Sequence, residues 1–307
     1  MLHFDDVIRT LKDSEITLTK SLVRRLSNLE DKEREALLTA WGEIPLERRQ
    51  KLMRHIADIS ESDFDTDFGV INRLAMTDLN ENVRYAAIEA SAQDESALTF
   101  HALLPIASVD LSVRVRAAAL SALGRFILAG ELGTFSKMLS RQAENLALRL
   151  YKNKSVDTEV RRRALEAVAN SSREEVDALI RDAYDSGDLP LQTSAVYAMG
   201  RSCDEKWARV VVRELGNSDS AMRYEAIRAA GELELEEAVS QIAPNLQGGD
   251  RQLMEMSIWA LGEIGGGEAR RLLDEMIEYA EDIDDDALME MIEDALANVS
   301  LGSGLVF

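Results

Sequence analysis

The chain is poor in the residues most catalytic and metal sites are built from. One cysteine, Cys203, stands in 307 residues, so no internal disulfide can form and a reducing, cytoplasmic setting is expected. It has no second cysteine and no histidine near it in sequence, which reads as a buried or bystander thiol rather than a nucleophile. The three histidines, His3, His55 and His101, lie far apart; no two sit at i, i+4 and no His-Glu pair occurs. Metal sites built on such pairs are therefore excluded, and no cofactor is expected. Glycine-rich GGGEAR at residues 265–270 lacks the Gly-Lys-Ser/Thr of a P-loop and reads as a turn between helices. Apolar runs such as residues 117–120 are far below the roughly 20 residues of a membrane span. Residues 1–9 carry Asp5 and Asp6 and no apolar core, so no signal peptide is expected.

Charge is abundant and uneven. The net charge is −21, which repels a phosphate backbone at long range. Residues 101–163 nevertheless hold eleven Lys or Arg against five Asp or Glu, whereas residues 272–307 hold eleven acids and no Lys or Arg. A basic waist and an acidic end are expected.

One pattern recurs: apolar, Arg, any, any, small, apolar, any, Ala, apolar, small. Its copies are VRYAAIEASA from Val83, VRAAALSALG from Val115, VRRRALEAVA from Val160, LQTSAVYAMG from Leu191, MRYEAIRAAG from Met222 and LMEMSIWALG from Leu253. Successive starts are 32, 45, 31, 31 and 31 residues apart. A weaker copy starts at Leu288, and stepping back 31 from Val83 reaches Leu52. Periods of this size signal stacked supersecondary units. Within a copy, Val83, Ala87, Ala90 and Ser91 share one helical face. Acids such as Asp78, Asp110, Asp157 and Asp219, or Pro190, stand just before the copies, as helix N-termini favour. Apolar stretches between the copies, two of them interrupted by Pro105 and Pro244, supply a first helix, A, to the motif's helix B. The extra residues before Val160 suggest a longer helix A across residues 136–153.

The tandem Asp, VR, Ala, ALG string resembles HEAT repeats, especially the short kind also found in phycobilisome bilin lyases. The resemblance covers residues 52–300 and departs at Gln192 and Met254, which replace the usual arginine. It implies an all-α, right-handed α-solenoid of antiparallel helix pairs, an armadillo-like superhelix of about eight repeats. B helices would start near 52, 83, 115, 160, 191, 222, 253 and 288. Residues 1–50 lack the motif and read as an N-terminal helical cap; residues 51–300 form the repeats, and 301–307 a flexible tail whose Leu305, Val306 and Phe307 could dock elsewhere. One HEAT-repeat family is an iron-dependent hydroxylase built on repeated His-Glu pairs, and this chain has none.

Asp282, Asp284, Asp286, Glu290 and Glu293 match the acidic positions of a calcium loop, but Ala287 stands where the sharp turn needs glycine. An acidic helix start explains them better.

HEAT stacks line their concave surface with B helices, so the resemblance places motif positions three, four and seven on that face. There the chain gathers Tyr85, Arg162, Arg163, Tyr197, Tyr224, Arg228, Met256 and Trp259. Tyr, Trp and Arg dominate binding hot spots, because they offer large contact area with few rotors and a planar charge. The same aromatics could instead pack between repeats. Second-position Arg84, Arg116, Arg161 and Arg223 are expected to form a structural ladder with the turn acids. The leading expectation is a non-catalytic scaffold binding a protein partner on that face. A chromophore or other small-molecule handler is the alternative the bilin-lyase resemblance implies. A nucleic-acid binder, as in HEAT-like DNA glycosylases, has only the basic waist in its favour.

Overall fold

The computed structural model describes residues 3–63 and 65–303, which contain helices and no strand. The chain divides into two compact units, Met1–Ala167 and Val168–Phe307.

The first unit opens with α1 (Phe4–Lys12), α2 (Lys20–Arg24) and α3 (Asp31–Ala40). It continues through α4 (Leu46–Ser62), α5 (Gly69–Ala75), α6 (Glu81–Glu89), α7 (Ala97–Val109) and α8 (Val113–Glu131) to α9 (Lys137–Lys152) and α10 (Thr158–Val168). The second holds α11 (Glu175–Tyr184), α12 (Leu189–Arg201), α13 (Ala208–Glu214) and α14 (Ser220–Glu232). After these come α15 (Val239–Ile242), α16 (Arg251–Ile264), α17 (Gly266–Asp282) and α18 (Asp286–Ser303). Even-numbered helices from α4 onward carry the motif. From α6 on, each begins two residues before its motif's first apolar residue; α4 begins earlier, at Leu46 rather than near 52, on Pro45. Pro244 ends α15 after four residues and turns the chain into a 3-10 segment. Residues 304–307 of the expected flexible tail lie outside the described residues, and α18 runs through the tail's first three.

The extra residues before Val160 lengthen two helices, not helix A alone. α9 has 16 residues, and α8 has 19. The apolar pattern runs on past the motif of α8 through Phe126 and Ile127, both buried, and Phe126 joins Phe100 and Phe135 in a ring cluster with centroids 5.0–5.4 Å apart. Burying that face keeps α8 helical where other B helices stop.

Motif positions one, five, six and eight form the core: Val83, Ala87, Ile88 and Ala90 are buried, as are Leu191, Ala195, Val196 and Ala198 and their equivalents in the α14 and α16 motifs. Position ten explains the recurrent glycine. A Cβ on Gly124 would lie 3.2 Å from the Ala167 Cα, and one on Gly200 2.7 Å from that of Ala229. Gly231 meets Ala260 at 3.0 Å and Gly262 meets Ala295 at 2.9 Å in the same way. In all four the partner is the position-eight alanine of the next B helix, so consecutive B helices touch backbone to backbone.

The second-position side chains do not form the expected ladder between repeats. Arg84 alone reaches forward, with Nε and Nη2 each donating to Asp110 at 2.8 Å. Arg116 donates to the Ala107 carbonyl (3.3 Å), Arg161 to Tyr151 (3.0 Å) and Arg223 to Asn217 (2.8 Å). Each thus ties helix B to the end of its own helix A or the turn after it, where carbonyls lack helical partners. Gln192 does the same for Tyr184 at 2.8 Å, so the departure from arginine keeps the contact. Asp188, Asp219, Asp250 and Asp285 accept from backbone amides of the first turns of their B helices. Those caps complete each pair.

Two outcomes follow from these contacts. Gly231→Ala adds one methyl against Ala260, and stability should fall by about 1–3 kcal/mol although alanine is the better helix former by about 1 kcal/mol. Gly267→Ala, with nothing within 4 Å of the added methyl, should not destabilise; urea unfolding compares them. Burial pushes the Asp110 carboxyl up, but the Arg84 and Ser112 donors outweigh it and hold it below its ordinary value. A depressed folded value contributes stability above the ordinary aspartate range and loses it as pH falls through the folded value. Asp110→Asn should therefore unfold at lower urea at neutral pH, with the gap to wild type closing in acid.

Candidate functional site

In the first unit, three consecutive B helices, α6, α8 and α10, line one cleft of about 580 Å³. Its walls are motif positions three, four and seven: Tyr85, Glu89, Ala117, Ala118, Ser121 and Arg163. The structure thus brings Tyr85 and Arg163 together. Arg162, one residue before Arg163, does not line this cleft.

Two charged cleft residues escaped the sequence reading. Arg114 lies 3.7 Å from the Tyr85 ring centroid, stacked on it from the next helix. Glu159 accepts from Arg163 Nε at 3.0 Å and from Arg162 Nη1 at 2.8 Å. Each stands immediately before its motif. Arg114, Ala118 and Ser121 have spacing i, i+4, i+7, as have Glu159, Arg163 and Glu166, so the position before the motif shares the stripe of positions four and seven. The signal was in the register, one residue upstream of the repeat.

Arg162 and Arg163 are not free cations. Arg163 also bonds Glu166 at 2.7 Å. Burial would lower the Arg163 guanidinium, but Glu166 and Glu159 outweigh it and raise it above its ordinary value. Arg161 is buried against the Tyr151 carbonyl. The three arginines that close the basic waist are therefore engaged within the fold.

In the second unit, Tyr197, Tyr224, Arg228, Met256 and Trp259 are all half-buried on α12, α14 and α16. Arg228 lies 3.8 Å from the Tyr197 ring centroid and bonds Glu225 at 2.9 Å, with Glu232 at 3.8 Å. Glu232 also pairs with Arg201 at 3.1 Å. Burial raises the Tyr224 hydroxyl above its ordinary value; Glu225 and Glu255 add to this and Arg228 opposes it. Trp259 is partly a packing residue: its ring edge would stand 2.9 Å from a Cβ on Gly231, so it covers the glycine of the previous repeat. The packing reading of the aromatic row holds for Trp259. Within the network, Arg228 Nη2 and Glu232 Oε2 are buried without a hydrogen-bond partner among the described residues.

Among the described residues no group of three or more His, Cys, Asp and Glu is placed to hold a metal ion, and no helix is long and apolar enough to cross a membrane. The acids of residues 282–286 lie at the junction of α17 and α18, where Asp285 accepts from Leu288 and pairs with Arg251 at 2.6 Å. Cys203 is exposed rather than buried, in a left-handed turn residue (φ 50°) after α12.

The two roles of the aromatics separate by mutation. Trp259→Ala should destabilise the second unit by about 1–3 kcal/mol, because it uncovers Gly231. Tyr224→Ala should change stability by under about 1 kcal/mol. Thermal unfolding of each variant compares them.

No family model and no curated protein matches the chain. Solved structures do. The Escherichia coli protein YibA is 19% identical over 94% of this chain and 98% of its own, with a TM-score of 0.46. Human deoxyhypusine hydroxylase in complex with glycerol is 16% identical over 97% of this chain and 96% of its own, with a TM-score of 0.37. Importin beta is 12% identical over 96% of this chain and 46% of its own, with a TM-score of 0.46. At such identities and TM-scores, what this chain does rests on its own residues.

Proposed function

We propose that the chain is a non-catalytic scaffold that binds a protein partner on the faces formed by its B helices. The observation that carries this reading is the pair of aromatic–guanidinium stacks left part-exposed on those faces: Arg114 on Tyr85 at 3.7 Å and Arg228 on Tyr197 at 3.8 Å. Each stack bridges neighbouring repeats and holds two large side chains in one orientation before any partner arrives. A partner then loses little side-chain entropy from this surface on binding. The cleft of about 580 Å³ at Tyr85 offers an anchor pocket beside a charged rim, the layout of a hot spot.

The ion pairs speak against a phosphate ligand at these faces. Arg162, Arg163 and Arg228 already face carboxylates, so a polyanion would have to displace them.

Wild type and the Tyr197→Ala/Tyr224→Ala variant, which omits the packing residue Trp259, are compared in affinity capture from native lysate. The expected result is a protein retained by wild type and lost by at least about tenfold in a variant of unchanged melting temperature. Equal retention by both would remove the assignment in the second unit. A coloured or fluorescent small molecule in the eluate, without a retained protein, would instead favour ligand handling.

A further inference from the structure

The basic waist and the acidic end contain two helices whose outer faces are opposite in charge and alike in design. On α9 the exposed residues are Lys137, Met138, Arg141, Gln142, Asn145, Arg149 and Lys152. Four are basic and none is acidic; the only acid of this helix, Glu144, is buried. Lys137 is partly offset by Glu131 at 3.5 Å. At the start of the helix Met138 is 72% exposed, and Leu132, at the end of α8, is 70% exposed. A shallow hollow of about 500 Å³ runs along Lys137, Met138, Arg141, Gln142 and Asn145.

On α17 the pattern inverts. Asp274, Glu275, Glu278, Glu281 and Asp282 are exposed, with no Lys or Arg after Arg271. Tyr279 and Ile283 stand out among them, 42% and 45% exposed. Glu275, Tyr279, Asp282 and Ile283 follow i, i+4, i+7, i+8, one stripe of the helix. The helices, of 16 and 17 residues, are each about 25 Å long, and the acidic stripe occupies the second half of α17.

We propose that these faces dock on each other between two copies of the chain, α9 of one against α17 of the next. Met138 would meet Tyr279 and Ile283, with Arg141 beside it against Glu278 and Asp282 and Arg149 adding positive charge further along α9. Apolar contact beside charged groups is common at protein interfaces, and opposed charges speed encounter. A second copy fits better than a nucleic acid, because phosphates offer nothing to Met138 and Leu132, whereas the acidic stretch of α17 carries both the opposite charge and the exposed Tyr279 and Ile283. Because the two faces differ, the contact is heterologous and can add further copies.

Sedimentation of the full chain tests this at about 10 mM salt, where the screening length is about 30 Å, and at about 0.15 M, where it is about 8 Å. Wild type should associate with rising concentration at low salt and at least about tenfold more weakly at the higher salt. Arg141→Glu/Arg149→Glu and Glu278→Lys/Asp282→Lys, all at exposed positions, should each remain monomeric alone. Mixed together they should associate again, since each reversed face then meets its opposite. A wild type that stays monomeric at low salt overturns the proposal, as does association indifferent to the reversals. A monomeric wild type that binds duplex DNA at low salt, and loses it in Arg141→Glu/Arg149→Glu, would assign the α9 face to nucleic acid instead.

Discussion

The repeats depend on the backbone contact between successive B helices. Where Gly124, Gly200, Gly231 and Gly262 meet Ala167, Ala229, Ala260 and Ala295, a single methyl would stand 3.2 Å or less from the neighbouring Cα. Helices that approach this closely leave no room for a variable side chain at positions eight and ten, which is why the motif closes on Ala, apolar, small. The same approach brings residues at positions three, four and seven of adjacent helices within side-chain reach. The aromatic–arginine stacks and the cleft at Tyr85 are consequences of that spacing.

Polar contacts hold each helix pair at a fixed angle. The second-position Arg or Gln closes helix A onto helix B through a carbonyl at or just after the end of helix A, and an acid caps the B helix from the front. These bonds satisfy groups that helix ends leave open. At the start of the chain the same economy recurs differently. Buried Arg48 gathers the carbonyls of Thr10, Leu11 and Ile16, while Asp78 accepts from the Trp41 indole at 2.8 Å and pairs with Arg49 at 3.0 Å. The non-repeat segment is thereby bonded to the first repeats.

Charge is handled locally on the B-helix faces and segregated by sign on two A helices. Arg162, Arg163 and Arg228 sit among Glu159, Glu166, Glu225 and Glu232, so these faces present oriented, largely neutralised polar groups around aromatic rings. The outer face of α9 is basic, and that of α17 is acidic after Arg271. The two kinds of surface suit different interactions: shape and hydrogen bonding on the first, long-range attraction on the second.

Periodicity sufficed for the helix pairs, their register and their core, because small and apolar residues at fixed spacing admit one amphipathic solution. From α6 onward each B helix starts two residues before the apolar position read from the repeat. Charge segregation between residues 101–163 and 272–307 was equally plain, since a count needs no geometry. Tertiary structure decided matters that depend on a neighbour's position. It divided the extra residues before Val160 between α8 and α9, because Phe126 found Phe100 and Phe135 to pack on. It turned the arginine ladder inward to helix A carbonyls, which carry no side-chain signature. It showed Trp259 covering Gly231, joined Arg114 and Glu159 to the cleft, and paired the arginines of the waist with nearby glutamates. Those outcomes rest on distances between residues of different helices, and a repeat pattern records which residues face inward without recording what each one meets there.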